Sequence, residues 1–218
     1  GQVALSLIDR FEDHSASGRT RHVVHNLVCA WTVPLASTLD DLRAVLQVGL
    51  DNGDPEYAFY AAHAYTHNAF YAGRELAPLL QEAVTFTAMM RQYDQTNSLN
   101  FHLPFERILK VFSSEEPTTT LDDASFDEQR ALADAEASGS RSGVCIINLL
   151  VGMVHYHFGD AGDASVCFEA GRPYLDGVMS TWHGPMLHQY AALAIAALAP
   201  PVGDPLWLAA EESLEALR

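Results

Sequence analysis

Lysine is almost missing from this chain: of 218 residues only Lys110 is one, and no glycine lies near it. A phosphate-cradling GxxxxGK[ST] loop is therefore impossible. Protein kinase and P-loop ATPase centres, which place a lysine on phosphate oxygens, are excluded within the chain. Cysteine is nearly as scarce. Cys29, Cys145 and Cys167 are an odd number and all lie in apolar helical stretches. They read as reduced, buried thiols of a cytoplasmic protein and not as a disulfide framework. There is no CxxC pair, no HExxH and no EF-hand loop. The nearest approach to a GxSxG elbow is Gly139-Ser140-Arg141-Ser142-Gly143, which carries arginine at its centre. Basic residues number 12 against 28 acidic, a formal charge of −16. Nucleic acid and anionic membrane surfaces are poor partners for such a chain. The longest apolar runs, Val144–Val154 and Ala191–Pro200, fall short of the roughly 20 residues a membrane helix needs. No segment alternates with period two between turn signals, so no sheet is expected.

What is present is helix. At 49% hydrophobic content the chain can bury a sizeable core. The stretch from Val144 to Phe158 is nearly all apolar, so its helix is buried on most of its circumference. Gly159 and Asp160 stop it. Ala164, Phe168, Gly171 and Leu175 then follow at spacings of four, three and four, one face of a second helix. Gly152 and Ala164 leave room for two backbones to approach closely. Gly152, His155, Gly159, Ala164 and Phe168 stand at the spacing of the Gly, Tyr, Gly, Ala and Phe positions of a tetratricopeptide-like repeat, whose period is about 34 residues. His155 occupies the position where an aromatic is usual.

The rest of the chain follows the same grammar. Helices are expected over 2–13, 21–33 and 39–52, the second stopped by Pro34 and the third capped by Ser37 or Thr38. Asn52-Gly53-Asp54-Pro55 is punctuation: Gly53 ends a helix, Asp54 caps the next, and Pro55 fits its first turn. That helix runs to Ala72, and its antiparallel mate covers 75–93. Ser98 to Phe112 is helical, either kinked or started at Pro104. The acidic, Thr-rich segment 113–124 is a mobile loop. Ser125 and Glu128 form a capping box for a helix through Ala137, Gly139 to Gly143 is a turn, and helices over 179–199 and 206–217 close the chain. The fold expected is all-α: a right-handed helical-repeat solenoid of antiparallel hairpins. It forms a single domain over 1–218, a segment of a larger protein.

Ten histidines invite a search for metal ligands. His63 and His67 are four apart and share a helix face, with His102 or Glu106 as a third ligand. His155 and His157 diverge on a helix, and His183 and His188 align poorly. No motif fixes a third ligand, so no metal and no cofactor are expected. Tyr57, Phe59, Tyr60, Tyr65, Phe70 and Tyr71 suit packing between repeats better than a ligand pocket.

Three runs carry a more specific likeness: GDPEYAFYAAHAYTHNAFYAGRELAPLLQEA, FDEQRALADAE, and MVHYHFGDAGDASVCFEAGRPYLDGVMSTWHGPMLHQYAALAIAALA. Together they resemble the tetratricopeptide-like helical region of large multidomain signalling proteins. Those proteins join a Ser/Thr-kinase-like domain, an AAA-type ATPase of the STAND kind, this region, and often a GAF sensor and a histidine kinase. The likeness spans roughly Arg19 to Pro200 and rests on Gly53-Asp54, Gly73, Phe126-Asp127-Glu128, Gly159-Asp160 and Tyr174-Leu175-Asp176. It implies a non-enzymatic scaffold in the cytoplasm. Its partners would be other domains of the parent protein or a protein or peptide segment. Aligning Gly73 and Gly159 on the repeat places Tyr60, His63, His67 and Phe70, with Leu149, Met153 and Tyr156, on a concave partner-binding groove. The alternative function is a sensor that binds a small molecule in that groove.

Overall fold

A computed structural model describes residues 1–11, 14–116 and 118–218, but not the side chains of Asp9, His14 and Ser15. The chain is all-α: helix accounts for 77% of it, and no strand occurs among the described residues. It divides into two compact units, Gly1–Leu109 and Lys110–Arg218.

The first unit contains α1 (Gln2–Phe11), α2 (His14–Val23), α3 (Leu39–Asp51), α4 (Pro55–Tyr71), α5 (Leu76–Gln92) and most of α6 (Thr96–Phe112). The expected end of the first helix at Asp13 lies outside the described residues. The second helix starts at His14, well before the expected Arg21. It widens into a π turn at Val24–Val28 and tightens into a 3-10 turn at Cys29–Trp31. Ser37 and Thr38 do not cap α3. Their hydroxyls donate to the carbonyls of Pro34 and Leu35 inside a 3-10 turn that runs straight into the helix. Asp54 does cap α4, accepting the Tyr57 amide at 3.3 Å, with Pro55 in the first turn. Pro104 lies inside a continuous α6. The core gathers Leu42, Phe59, Ala62, Leu79, Phe86 and Met90. Across three of its helices, Arg43 of α3 donates to the Tyr65 hydroxyl of α4 at 2.7 Å and pairs with Glu82 of α5. Tyr65 in turn donates to Glu82 at 2.7 Å.

The second unit holds the end of α6, then α7 (Glu128–Ala137), α8 (Arg141–His157), α9 (Ala161–Gly171), α10 (His183–Leu198) and α11 (Leu206–Glu215). No helix forms over the described residues between 113 and 127; Pro117, within the expected loop, lies outside them. The capping box does not form. Asp127 caps α7 through the Arg130 amide at 2.8 Å. Ser125 instead turns to Asp123, and the Glu128 carboxylate reaches back to the Leu121 amide at 3.0 Å. Lys110 is spent here, 2.9 Å from Asp123. α9 passes into a 3-10 segment at Arg172–Val178, because Pro173 has no amide to continue the α ladder. Gly177 lies where a Cβ would come within 2.6 Å of the Ser142 backbone nitrogen. Arg141 fastens the same spot, 2.8 Å from Asp176 with its guanidinium over the Tyr174 ring.

One turn device recurs between helices. At Gly159 the chain enters the left-handed region at φ 90°, and the amides of Gly159 and Asp160 return to the carbonyls of Tyr156 and His155. Gly53 does the same at φ 70°. Two residues with a Cβ also adopt this conformation at helix ends: Asp94 at φ 53° and Ala199 at φ 47°. Alanine tolerates it less well than aspartate, whose short polar side chain bonds locally. Ala199→Gly should therefore stabilise the chain by about 1 kcal/mol and Asp94→Gly by less, read from urea midpoints. A loss of stability at 199 would show that the turn is not left-handed there.

Candidate functional site

The residues assigned to the groove fall in both units. On α4, His63 and His67 lie one turn apart with ring centroids 4.9 Å from each other. Phe105 of α6 packs against them at 5.7 and 5.8 Å, and against Phe70 at 6.2 Å. Phe105 is fully buried, and His63 and His67 are buried with it, while Phe70 keeps partial exposure. Tyr60 stands apart from these three. It is half-buried beside Tyr57 and the buried ring of His22, with centroids at 5.8 and 6.1 Å. Burial raises the Tyr60 phenol above its ordinary range, and the Glu56 charge adds to the effect.

On α8, Leu149 and Met153 are buried, and Tyr156 is half-buried, edge-on to Tyr190 at 5.6 Å. Tyr190 also meets His157 Nε2 through its hydroxyl at 3.0 Å. A residue with no exposed surface can serve a partner contact only through what it holds in place. Tyr60, Phe70 and Tyr156 are thus the groove residues that offer side-chain surface.

The metal question resolves differently from the pattern in the sequence. His102 does lie near His63, with ring centroids 6.3 Å apart, but its Nε2 meets the Ala83 carbonyl at 3.0 Å. Glu106 accepts the Thr87 hydroxyl. Among the described residues, a different set brings three donor atoms within 4.8 Å of one another: His155, Asp160 and Asp163. His155 lies in the last turn of α8, Asp160 caps α9, and Asp163 lies in the first turn of α9. In the sequence His155 stood as the residue replacing an aromatic and as one of two histidines that diverge on a helix. Its partners lie across a turn, five and eight positions on, where no short motif marks them.

All three thiols are free, and burial pushes Cys145 up to about 12 and Cys167 up to about 11, far from the thiolate range.

No protein-family model matches the chain, and no curated protein matches it.

Proposed function

We propose that this chain is a non-enzymatic interaction module: a right-handed solenoid of antiparallel helix hairpins of the tetratricopeptide-like kind. It works in the cytoplasm inside a larger signal-transduction protein that carries kinase and ATPase domains. The observation that carries this reading is the repetition of one construction at two places. Gly53 and Gly159 each close a helix, and Asp54 and Asp160 each cap the next. Ala58 and Ala164, each five residues after the glycine, are both fully buried. A glycine of the preceding helix meets the following one closely in both cases. A Cβ on Gly49 would lie 2.8 Å from Ala58, and one on Gly152 would lie 2.5 Å from Phe168. Repeated hairpins of this kind stack into an extended face that holds partners by shape. The acidic surface serves solubility, and apolar and aromatic contact supplies the binding.

The test is capture of the parent protein's kinase and ATPase domains by this chain. Tyr60→Ala in the first unit and Tyr156→Ala in the second remove half-buried rings that offer surface. Loss of either as an interface anchor should weaken capture by about 2 kcal/mol, a thirtyfold change in affinity. Equal capture by the wild type and both variants would refute the groove as the docking surface. Binding that vanishes in moderate salt would show a contact governed by charge instead.

A further inference from the structure

We propose that His155, Asp160 and Asp163 form a binding site for a divalent transition-metal cation, zinc before others, at the turn between α8 and α9. The proposal is independent of the interaction reading, because it concerns side chains that the groove does not use.

Two helices and two kinds of ligand converge here. His155 Nδ1 lies 3.8 Å from Asp160 Oδ2. This nitrogen is closed to solvent and makes no hydrogen bond. Asp160 spends Oδ1 on the Asp163 amide at 3.0 Å, which leaves Oδ2 on the His155 side. The turn itself is already fixed, since the Asp160 amide donates to the His155 carbonyl at 2.9 Å. Ligands placed by backbone hydrogen bonds lose little freedom when a metal arrives. A tetrahedral zinc with bonds of about 2.0–2.2 Å needs its donors roughly 3.3–3.5 Å apart. The His155–Asp160 separation of 3.8 Å is close to that value, and all three donor atoms lie within 4.8 Å of one another.

Asp163 adds a second carboxylate beside the His155–Asp160 pair. The electrostatics extend beyond the pair. Cys167, one turn after Asp163, is raised chiefly by burial, and the charges of Glu128, Asp163 and Asp160 add to it. Two carboxylates balance a dication. They also offset the positive end of α9, which by itself would repel one. The imidazole decides the class of metal. Magnesium and calcium prefer all-oxygen sets, whereas nitrogen with carboxylate oxygen suits zinc and its neighbours. Three protein ligands leave the fourth position to water.

The experiment is calorimetric titration of the chelator-treated chain with zinc chloride at pH 7.5, repeated on Asp163→Asn and His155→Gln. Asp163→Asn keeps the backbone amide that donates to the Asp160 cap and keeps the His155–Asp160 pair, while removing one carboxylate ligand. Cobalt(II) absorption provides a second readout of defined coordination. Expected are one equivalent of zinc bound with micromolar or tighter Kd, tenfold or greater weakening in both variants, and no competition from millimolar magnesium. The proposal is overturned if the wild type shows no saturable uptake. It is equally overturned if uptake is the same in all three proteins, which would place the zinc on other histidines.

Discussion

Leucine at position 152 should destabilise the chain by about 3 kcal/mol, the upper end of the usual overpacking range. Even alanine there is crowded: its Cβ would fall 2.5, 2.8 and 2.9 Å from three atoms of the Phe168 ring. That ring is fully buried and has nowhere to swing. Glycine inside a helix is itself unfavourable by about 1 kcal/mol relative to alanine. The measured cost of Gly152→Ala is therefore the overpacking minus that gain, and leucine shows the steric term more fully. The mechanism is checked by a cycle. Phe168→Ala alone should cost about 3–5 kcal/mol through the cavity it leaves. Combined with Gly152→Leu, the two losses should fall short of their sum by more than 1 kcal/mol, because the new side chain fills the space the ring vacates. Strict additivity in urea denaturation would show that the two positions do not touch.

The close approach of these two helices at Gly152 was legible in the sequence, which paired Gly152 with Ala164; the neighbour it meets is the Phe168 ring, and the reason for the approach is physical. A glycine in an otherwise apolar helix has no cause but close approach, and the fixed spacing to Ala164 and Phe168 names the helix that approaches. The Gly-Asp turns at 53 and 159 were legible for a similar reason, since a left-handed closing residue followed by a side-chain cap is a local device. What was less legible depends on distant partners. Between Glu56 and Arg74 there is no charged residue, and nearly every position of α4 from Ala58 to Ala69 is buried. An alignment that assigns one face of such a helix to a groove does not reveal that Phe105 packs over His63 and His67. That packing required α6 to run unbroken through Pro104, which the sequence left open. The capping box at Ser125 and Glu128 was misplaced by two residues. Asp127 competes for the same role, and Asp122 and Asp123 draw the neighbouring amides into their own turn. The His155 triad escaped notice because a turn, not a motif, brings its members together.

Acid should unfold the chain well before its carboxylates titrate. Burial lowers His22 and His102 to about 4 and His183 to about 3, against an ordinary value of 6.5. The fold therefore favours the neutral imidazoles. Above pH 6.5 they are neutral in both the folded and unfolded chain, and their contribution to stability is fully present. As the pH falls below 6.5 the unfolded chain takes up protons that the fold refuses. Stability drops until the pH reaches the folded value, at a cost of about 3 kcal/mol each for His22 and His102 and about 5 kcal/mol for His183. Their sum is comparable with the whole stability of a domain, about 5–15 kcal/mol. The carboxylates act lower. Asp160 is held below its usual range by the Asp163 amide, and Asp176 by hydrogen bonding from Arg141. Their stabilisation is present above their unfolded values, near 4, and is lost only as the pH falls further. The window between pH 6 and 4.5 thus belongs to histidine. Urea midpoints should fall steeply across it, with a slope of about three protons or more, because burial also lowers His25, His157 and His188. His102→Gln leaves an amide able to donate to the Ala83 carbonyl, as the His102 Nε2 does when it carries the proton. It should flatten the slope by about one proton while costing little at pH 7.5. A midpoint that stays level from pH 7 to 5 would mean that these imidazoles are solvated enough to protonate in the fold.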